Sequence, residues 1–588
     1  MGKDTKQPSV ITPYGGKLVN LVVDDNKRDR LLEKAKQIPS LQLSLQSISD
    51  IELLATGALS PLDRFMGGND YIRVLDEMRL TNGMLFPVPI VLATENNVFD
   101  IGDEITLRND KNEIVGVMKI EEKFERDPVY EVSRVFGITD TYHPLVADAT
   151  SWGQFCLSGP LAILNLVHHY NFKEFRYSPL EIRKWLNRQG YSNAVAFETS
   201  GFISRIEEEL TRKMIEKVGG ALIIQAVFDP SQREDLDAYI RNRTYEALME
   251  KYYDRRRTIL NLVPLGRKTI SVQNILWRAI IHRNYGAYYF VLGPEFHTLT
   301  ADLDPKDEAS FGTHKARELL KDLSPEIGVK IMGFNEMCCL LGEDQSKDLR
   351  RIYHMFSTPA GRFKSDHYSE ATVLPKRLLH PEVAAILSEA YPPRHRQGFC
   401  IWLTGLPCAG KSTIAEIVTE MLHEYGKRVT LLDGDVVRTH LSKGLGFAKQ
   451  DRDTNVLRIG FVASEIVRHN GTVVCAAVSP YRATRNQVRN MVGEDRFIEV
   501  FVNTPIEVCE QRDSKGLYAK ARLGQIKRLT GIDDPYEASV APEMILTTTD
   551  CSPEDNALKV INFLVEKGFL LPKSKSAKKE LLDYSAYK

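Results

Sequence analysis

Two series of alternating helical and apolar patterns run along this chain, separated by a turn-rich break. In the first series, from about residue 172, helix-like segments such as SPLEIRKWLNRQ alternate with apolar runs such as ALIIQAVF and TILNLVP. Apolar runs between helical segments are typical of parallel strands that are buried on both faces. A second series of the same kind begins at Gly398. The pattern therefore predicts two parallel sheets, each with helices on both faces.

The first 150 residues and the break at 390–398 follow other patterns. The first part has short strand-like runs, such as FPVPIVLAT and EITLRND, that Gly, Asn and Pro interrupt, which predicts a small and mostly β unit. The break, AYPPRHRQG, is basic and rich in turn formers, and we place a domain boundary there. The chain of 588 residues is too long for one core.

Composition narrows the class of protein. With 43% apolar residues, 26% charged residues and a formal net charge of −1, the chain has the balance of a globular protein and no bulk charge favouring nucleic acid. It has no apolar run near the roughly 20 residues that span a bilayer. The opening MGKDTKQPSV lacks a signal core, and the eight cysteines form no CxxC pair. We therefore expect a cytoplasmic protein with reduced thiols that binds neither nucleic acid nor membrane.

A phosphate-binding loop follows the first strand of the second series. Residues 405–413 fit G-x-x-x-x-G-K-[ST], in which glycines let backbone N–H groups surround phosphate oxygens. Lys411 is expected to reach the β and γ phosphates, and the Ser412 hydroxyl to ligate magnesium (Mg²⁺). The loop is therefore predicted to hold a polyphosphate together with Mg²⁺, and the resemblance described below implies that this polyphosphate is ATP. The residues predicted to bind it are Gly405, Leu406, Pro407, Cys408, Ala409, Gly410, Lys411, Ser412 and Thr413.

Polar residues that follow the next two strands indicate where a phosphoryl acceptor binds. Asp433 and Asp435 come after the strand RVTLL, at the sheet edge where open α/β sheets bind ligands. One of them is expected to orient Mg²⁺ or its water, and the other to accept the proton of the attacking hydroxyl. Ser479 follows the strand VVCAAV. Further aromatic, cationic and amide candidates near this edge are Arg438, Phe447, Arg452 and Asn455.

Residues 398–571 resemble adenylyl-sulfate (APS) kinase over essentially their whole length. The matching segments include GLPCAGKST, LLDGDVVR, GLGFAKQDRDTN, SPYRATR and RDSKGLYAKARLGQIKRLTGIDDPYEAS. The resemblance implies a P-loop kinase with a five-stranded parallel sheet, which transfers the γ-phosphoryl group of ATP to the 3′-hydroxyl of adenylyl sulfate. One departure is Pro407–Cys408, where relatives usually carry Ser and Gly.

The resemblance also implies roles for individual residues. Arg438, Arg452 and Asn455 would bind adenylyl sulfate, and Phe447 would stack on its adenine. Ser479 matches a position sometimes called a phosphoserine intermediate. Because in-line transfer between two bound nucleotides needs no covalent intermediate, we expect Ser479 to hydrogen-bond the substrate. The family's KGLY motif adds Lys515, Gly516 and Leu517 to the predicted substrate site.

Residues 1–390 resemble ATP sulfurylase, the enzyme that makes adenylyl sulfate from ATP and sulfate. The matches include ELLATGALSPLDRFMGGNDYIRVLDEMRLTNG, RNRTYEALMEKYY, HRNYGAYYFVLG and HPEVAAIL. The resemblance implies a PUA-like β domain followed by a nucleotidyltransferase-type α/β domain. The predicted domains are PUA-like at 1–170, sulfurylase-like at 171–392 and kinase at 398–571, with a tail at 572–588.

The sulfurylase motifs are altered at three places. Glu198 replaces a glutamine, Ser200 an arginine, and Ser204 and Glu207 two histidines. Pro294 begins the altered part of GPEFHT at 293–298, and TISVQN at 269–274 stands where the family has a glycine-rich segment ending in an arginine–glutamate pair. Since adenylyl transfer needs donors around sulfate and polyphosphate, these changes predict that the sulfate adenylyltransferase activity is absent. The alternative is a bifunctional enzyme that makes and then phosphorylates adenylyl sulfate.

Other features of the front region have structural interpretations. His282 and His297 are interpreted as structural histidines, and Glu207–Glu209 as a solvated helix face. A region that keeps its fold and loses its chemistry can serve assembly or regulation. We therefore expect a homo-oligomer that uses ATP and adenylyl sulfate, with a separate active sulfurylase as a possible partner.

Overall fold

The computed structural model divides into two compact units, which are described separately. Of the described residues, those up to Ala390 form the first unit and those from Tyr391 onwards form the second. The structure describes residues 9–95, 97–137, 144–228, 236–265, 271–292, 308–333, 379–514 and 516–572. Within these ranges the side chains of 144, 145, 148, 236, 237, 308–317 and 435 are not described.

The N-terminal part of the first unit contains two small sheets. The order of the four-stranded sheet is β1-β3-β4-β7 and that of the three-stranded sheet is β2-β6-β5, with only the β1–β3 pair parallel. The strands are β1 Ser40–Gln42, β2 Leu92–Thr94, β3 Glu104–Arg108, β4 Ile114–Lys119, β5 Glu122–Glu125, β6 Phe155–Ser158 and β7 Leu161–Ile163. The helices are α1 Asp25–Ala35, α2 Leu45–Thr56, α3 Gly68–Glu77, α4 Pro128–Phe136 and α5 Pro144–Ser151. The short strands were predicted, whereas the helical content is larger than the strand pattern suggested.

The rest of the first unit is built on a five-stranded parallel sheet in the order β10-β9-β8-β11-β12. Every residue of β8, β9 and β10 is buried, because helices cover both faces, as the apolar runs predict. The strands are β8 Ala194–Thr199, β9 Ala221–Val227, β10 Thr258–Val263, β11 Tyr289–Val291 and β12 Lys330–Met332. The helices are α6 Pro179–Gln189, α7 Arg205–Val218, α8 Leu236–Lys251, α9 Val272–Asn284, α10 Glu308–Ile327 and α11 Pro381–Ala390.

The second unit is a five-stranded parallel sheet in the order β14-β15-β13-β16-β17, which confirms the predicted parallel sheet. Its strands are β13 Cys400–Thr404, β14 Val429–Asp433, β15 Thr472–Ala476, β16 Phe497–Val502 and β17 Met544–Leu546. Its helices are α12 Lys411–Glu424, α13 Gly434–His440, α14 Lys449–Arg468, α15 Arg482–Val492, α16 Ile506–Arg512, α17 Leu517–Arg522 and α18 Pro553–Glu566.

The central strand β13 supplies both cores of the second unit. Ile401 and Leu403 pack on one face with α12 and α18, while Cys400 and Trp402 pack on the other face with α14 and α15. Because successive side chains of a strand point to opposite faces, a strand covered on both sides has to be apolar throughout. This is why the sequence before the glycine loop is an uninterrupted apolar run.

One buried asparagine joins the two parts of the first unit. Asn284, at the end of α9, accepts a hydrogen bond from the backbone N–H of Tyr14 at 2.9 Å. Its amide nitrogen donates to the carbonyls of Ala58 at 2.9 Å and Ser60 at 3.0 Å. The side chain therefore satisfies three backbone groups that belong to the N-terminal part.

We expect Asn284→Leu to destabilise the first unit, because it leaves three buried backbone groups without a partner. An unsatisfied buried group costs about 1–3 kcal/mol, so the combined loss should be on the order of 3 kcal/mol. Urea unfolding of the full chain, followed by tryptophan fluorescence, measures it. Asn193→Leu is the matched control, since Asn193 makes a single hydrogen bond to the Val218 carbonyl. Equal losses in the two variants would contradict this account.

Candidate active site

The predicted phosphate loop connects β13 to α12 and has the backbone that its glycines require. Gly405 has a φ of 152°, and a Cβ atom there would lie 2.5 Å from the Val502 carbonyl oxygen. Gly410, with a φ of 102°, precedes the first turn of α12. Cys408 has a φ of 57° although it is not a glycine. The left-handed conformation costs an L-residue roughly 1–2 kcal/mol, which explains why a glycine suits this position in relatives.

Side chains donate hydrogen bonds to the backbone carbonyls of the loop. Lys411 Nζ donates to the carbonyl oxygens of Gly405 at 3.1 Å and Leu406 at 2.7 Å. Thr504, which follows β16, donates from its hydroxyl to the Ala409 carbonyl at 3.0 Å. With these carbonyls engaged by the protein, the loop N–H groups and the N-terminus of α12 form the anion-binding side of the loop.

Two side-chain oxygen atoms that can bind a metal ion lie next to each other beside the loop. The Ser412 hydroxyl donates to Oδ2 of Asp433, the last residue of β14, at 2.6 Å. A hydroxyl and a carboxylate are ligands that Mg²⁺ prefers, so this pair fits the predicted metal ligand Ser412 and adds Asp433 to it. Asp435 lies in α13, and its side chain is outside the description. Its role as a base stays a prediction.

Most of the predicted site residues line one cleft of about 810 Å³ in the second unit. Gly405, Leu406, Ala409 and Gly516 belong to its framework and do not line it, and Lys515 lies outside the described residues. The predicted residues that line the cleft are Pro407, Cys408, Gly410, Lys411, Ser412, Thr413, Asp433, Arg438, Phe447, Arg452, Asn455, Ser479 and Leu517. The fold thus brings the loop and the predicted acceptor residues together.

An aromatic ring and a guanidinium group lie side by side on the part of the cleft where the phosphoryl acceptor is predicted to bind. The Phe447 ring is about half exposed, and the guanidinium carbon of Arg438 lies 4.7 Å from its centre. Such a contact is a cation–π interaction. It places a charge and a flat apolar surface next to each other, which suits a nucleotide that carries an anionic group.

Arg452 is held by the protein on several sides. Nε donates to the Phe447 carbonyl at 3.0 Å, and the two terminal nitrogens donate to the Thr530 hydroxyl and the Arg528 carbonyl. Nη2 also lies 3.4 Å from Oδ2 of Asp534. Burial lowers the pKa of the Arg452 guanidinium, and the Asp534 carboxylate opposes that shift. Arg452 therefore connects α14 to the segment 528–534.

Some polar atoms of residues that line the cleft have no hydrogen-bond partner among the described residues. They include Oδ1 of Asn455, on α14, and the hydroxyl of Ser442, which follows α13. Buried polar groups are almost always hydrogen-bonded in folded proteins. Two unpaired atoms in one cleft wall are therefore the expected mark of a ligand that supplies the missing partners.

The hydroxyl of Ser479, which was predicted to hydrogen-bond the substrate, forms its hydrogen bonds within the protein. Its hydroxyl accepts from Trp402 Nε1 at 3.1 Å and donates to Thr404 Oγ1 at 2.9 Å, and the side chain is 2% exposed. Its carbonyl accepts from the buried Arg485 at 2.7 Å. The hydroxyl is therefore engaged inside the protein, and the substrate hydrogen bond of Ser479 stays a prediction. Ser479 lines the cleft, and its hydrogen bonds to Trp402 and Thr404 connect the cleft wall to strand β13.

The structure adds cleft residues that the sequence analysis did not select. Ser442 and Thr548 lacked a motif, although Thr548 follows β17 at the same edge of the sheet, a signal that could have found it. The other additions fall in segments already quoted for the resemblance, or in α18. Among the added residues are Ser442, Arg512, Arg528, Thr530, Thr548 and Asn556.

The altered sulfurylase motif lies at the carboxyl end of β8, where the order of the first unit's parallel sheet reverses. Glu198 is buried and forms an ion pair with Arg278 and a hydrogen bond with His282, whose Nε2 lies 2.9 Å from Oε2. Arg278 Nε also donates to Asn274 Oδ1 at 2.9 Å. Burial acts to raise the pKa of Glu198, but Arg278 and His282 together bring it below its usual value. His282 is part of this buried cluster, which agrees with its structural interpretation.

The prediction of a solvated glutamate face is wrong for two of its three residues. Glu207 is 5% exposed and Glu208 8% exposed, whereas Glu209 is exposed. The Glu207 carboxylate accepts from the backbone N–H of Ser204 at 2.7 Å, and the Ser204 hydroxyl accepts from the Glu207 N–H at 3.2 Å. These bonds form a capping box that begins α7. Burial raises the pKa of both Glu207 and Glu208.

The remaining altered positions give less information. Pro294 and His297 lie outside the described residues, and Ser200 is half-buried after β8. Among the described residues, no three His, Cys, Asp or Glu side chains group as a metal site. In the same part of the chain, no helix combines the length and the apolarity needed to cross a membrane.

Comparison with known proteins identifies three domains in order. Residues 11–166 match the PUA-like domain, residues 173–390 the ATP-sulfurylase family and residues 397–547 the adenylylsulphate kinase family. The chain is 33% identical to the sulfate adenylyltransferase of Aspergillus oryzae and 34% to that of Aspergillus terreus. Each alignment covers 95% of this chain and 99% of the relative. A solved structure, the hexameric APS kinase from Thiobacillus denitrificans, is 28% identical with a TM-score of 0.72, over 96% of this chain and all of the other.

These comparisons change one expectation. Relatives that span nearly the whole chain are named for sulfate adenylyltransferase, the reaction that the altered motifs predicted to be absent. The predicted loss therefore has no support from them, and the bifunctional alternative fits them better. The chain belongs to the sulfate adenylyltransferase family and carries PUA-like, ATP-sulfurylase and adenylylsulphate kinase domains in that order.

Proposed function

We propose that the chain is a bifunctional enzyme that makes adenylyl sulfate from ATP and sulfate and phosphorylates it on its 3′-hydroxyl. The observation that carries the kinase half is the single cleft that joins a phosphate loop to an acceptor wall with unpaired polar atoms. The family matches and the names of the full-length relatives support the sulfate adenylyltransferase half. The proposed product is 3′-phosphoadenylyl sulfate.

In the kinase half, the triphosphate of ATP lies on the loop and the helix N-terminus. The ammonium group of Lys411 has three N–H donors, and one of them contacts the transferring phosphoryl group while the loop carbonyls accept from the others. A positive charge at that position stabilises the transition state. Mg²⁺, held by Ser412 and Asp433, would neutralise phosphate charge. Asp433 or Asp435 accepts the proton of the 3′-hydroxyl as that oxygen attacks the γ-phosphorus in line. The transfer is direct, and no phosphoserine forms at Ser479.

On the acceptor side, adenylyl sulfate occupies the wall formed by Phe447, Arg438, Arg452 and Asn455. Phe447 provides the surface on which the adenine stacks, and the guanidinium groups provide positive charge for the phosphosulfate. Asn455 supplies a polar atom that lacks a partner in the described part of the chain. Lys515, Gly516 and Leu517 follow Ser514 in the wall and are proposed to close over the substrates.

Organisation beyond the single chain is also a proposal. The domain limits proposed are 1–170, 171–392 and 398–571. A homo-oligomer is proposed because the solved neighbour that matches 96% of this chain is titled hexameric. The substrates are small molecules, namely ATP, sulfate and adenylyl sulfate.

Lys411→Ala should lower kinase turnover by about 10²–10³-fold, because it removes a charge aimed at the transferring phosphoryl group. Turnover is measured by separating the nucleotides after incubation with Mg-ATP and adenylyl sulfate. Lys427→Ala is the matched control, since Lys427 Nζ also donates to a backbone carbonyl, that of His395 at 2.6 Å, and does not line the cleft. Near-normal turnover in a folded Lys411→Ala variant would contradict the P-loop assignment.

Asn455→Ala should raise the KM for adenylyl sulfate about tenfold and leave the KM for ATP within about twofold, since one ligand hydrogen bond is lost. The thermal stability should stay unchanged, because Oδ1 has no partner to lose among the described residues. Asn486→Ala, at an exposed position on α15, is the control. If both KM values rise equally, Asn455 does not belong to the acceptor pocket.

The sulfate adenylyltransferase half is tested with the kinase silenced. A Lys411→Ala chain, given Mg-ATP, labelled sulfate and pyrophosphatase, should accumulate adenylyl sulfate over successive turnovers. In the reverse direction it should form ATP from adenylyl sulfate and pyrophosphate. Arg278→Met in the same background should abolish both reactions, because it removes the α9 cation that pairs with Glu198 near the end of β8 and leaves that carboxylate without one of its partners.

Failure of both directions in the Lys411→Ala chain, when the wild-type chain is active as a kinase, would overturn the bifunctional proposal. The pairing of Arg278 and His282 with Glu198 would then explain the failure, since the guanidinium and the imidazole are already engaged by a carboxylate. In that case adenylyl sulfate would have to come from a separate sulfurylase, and the first unit would serve assembly.

A further inference from the structure

One buried amide at the start of α18 has no role in the proposed mechanism. Asn556 is fully buried, and its Nδ2 donates to the Thr547 carbonyl at 2.9 Å. That bond determines the orientation of the amide, because only the nitrogen can donate. Oδ1 is then an acceptor, and no donor among the described residues reaches it. A buried acceptor left without a donor is destabilising, which makes it a strong sign of a missing ligand.

Asn556 borders the same cleft as the phosphate loop. Its partner Thr547 is followed by Thr548, whose hydroxyl lies 2.7 Å from that of Thr504 and 3.4 Å from the Ala409 carbonyl. Arg512 donates to the Thr548 hydroxyl at 2.9 Å. Hydrogen bonds therefore join Asn556 to Thr547, and its chain neighbour Thr548 to the loop that holds the phosphates.

The two sides of the cleft have different tasks. Once the triphosphate lies on the loop, the base of ATP has to extend away from it along the cleft. The wall around Phe447 and Asn455 is assigned to adenylyl sulfate. The wall that remains contains Arg512, Thr548 and the residues around the start of α18, which include Cys551, Pro553 and Asn556.

We propose that Asn556 Oδ1 accepts a hydrogen bond from the 6-amino group of the adenine of the phosphoryl donor, and so selects ATP over nucleotides with a 6-oxo group. Guanine would bring its O6 acceptor against Oδ1, and two acceptors repel each other. Purine without a 6-amino group would leave Oδ1 unpaired. The inference rests on the proposed kinase function, since it concerns the donor nucleotide of that reaction.

The test compares nucleotides within one protein. The kcat/KM of the full chain is measured with adenylyl sulfate as acceptor and ATP, purine riboside triphosphate or GTP as donor, for the wild type and Asn556→Leu. We expect the wild type to prefer ATP over purine riboside triphosphate about tenfold or more, and Asn556→Leu to reduce that ratio below about threefold. Because each ratio comes from a single protein, loss of the Thr547 contact and of stability cancels.

Ser552→Ala is the matched control. Ser552 caps α18 by accepting from the Asp555 N–H at 3.0 Å and does not line the cleft, so this variant loosens the start of the helix without changing the amide. It should keep the wild-type ratio. The proposal is overturned if Asn556→Leu keeps the wild-type ratio, if Ser552→Ala loses as much as Asn556→Leu, or if the wild type itself shows no preference for ATP.

Failure of the proposed function gives a different result. If the wild type transfers no phosphoryl group to adenylyl sulfate, the kinase assignment fails whatever the base preference. Calorimetric titration of the wild type and Asn556→Leu with ATP and with purine riboside triphosphate then gives the base preference from binding alone. A preference for ATP that is lost in Asn556→Leu supports the inference, and identical titrations of the two proteins overturn it.

Discussion

The kinase cleft depends on one constraint, which is that the carbonyls of the phosphate loop are bonded to the protein. A loop can present N–H groups to phosphate only when its carbonyls find donors elsewhere. Lys411 supplies donors from within the loop, and Thr504 supplies one from the end of the neighbouring strand β16. The close approach of Gly405 to the Val502 carbonyl depends on the same strand. The adjacency of β13 and β16 therefore determines the shape of the loop, and the rest of the cleft is built around it.

Buried guanidinium groups hold the other wall of the cleft in place. Arg485 donates to Glu499, to the Ser479 carbonyl and to the Glu537 carbonyl, so that one side chain joins three segments. Arg452 does the same for α14 and the segment 528–534. Arg485 is buried and Arg452 is partly buried, and each donates to several acceptors, as a cation removed from water requires. The oxygens of Asn455 and Asn556, by contrast, have no hydrogen-bond partner among the described residues. The arginines therefore support the wall, whereas these two amides are placed to contact a ligand.

In the first unit, an acid and an amide have exchanged places relative to the ATP-sulfurylase family. Glu198 is an acid where the family has a glutamine, whereas Asn274 is an amide where the family has the glutamate of its arginine–glutamate pair. Arg278 contacts both side chains, so a carboxylate is still present beside it. Treating the altered motifs as independent losses overlooked this compensation, because the residues are far apart in the sequence and meet only at the end of β8.

The sequence alone determined the parts of this protein that depend on local pattern. Apolar runs between helices predicted both parallel sheets, and glycine spacing located the phosphate loop, because burial and backbone conformation leave their mark within a few residues. Contacts between distant segments were decided only by the tertiary structure. The hydroxyl of Ser479 turns towards Trp402, and Glu207 is buried as a helix cap rather than solvated. The unpaired oxygen of Asn556 also depends on the packing of α18 beside the loop. Whether a polar side chain meets a ligand or the protein depends on which segments the fold places opposite it, and no local pattern contains that information.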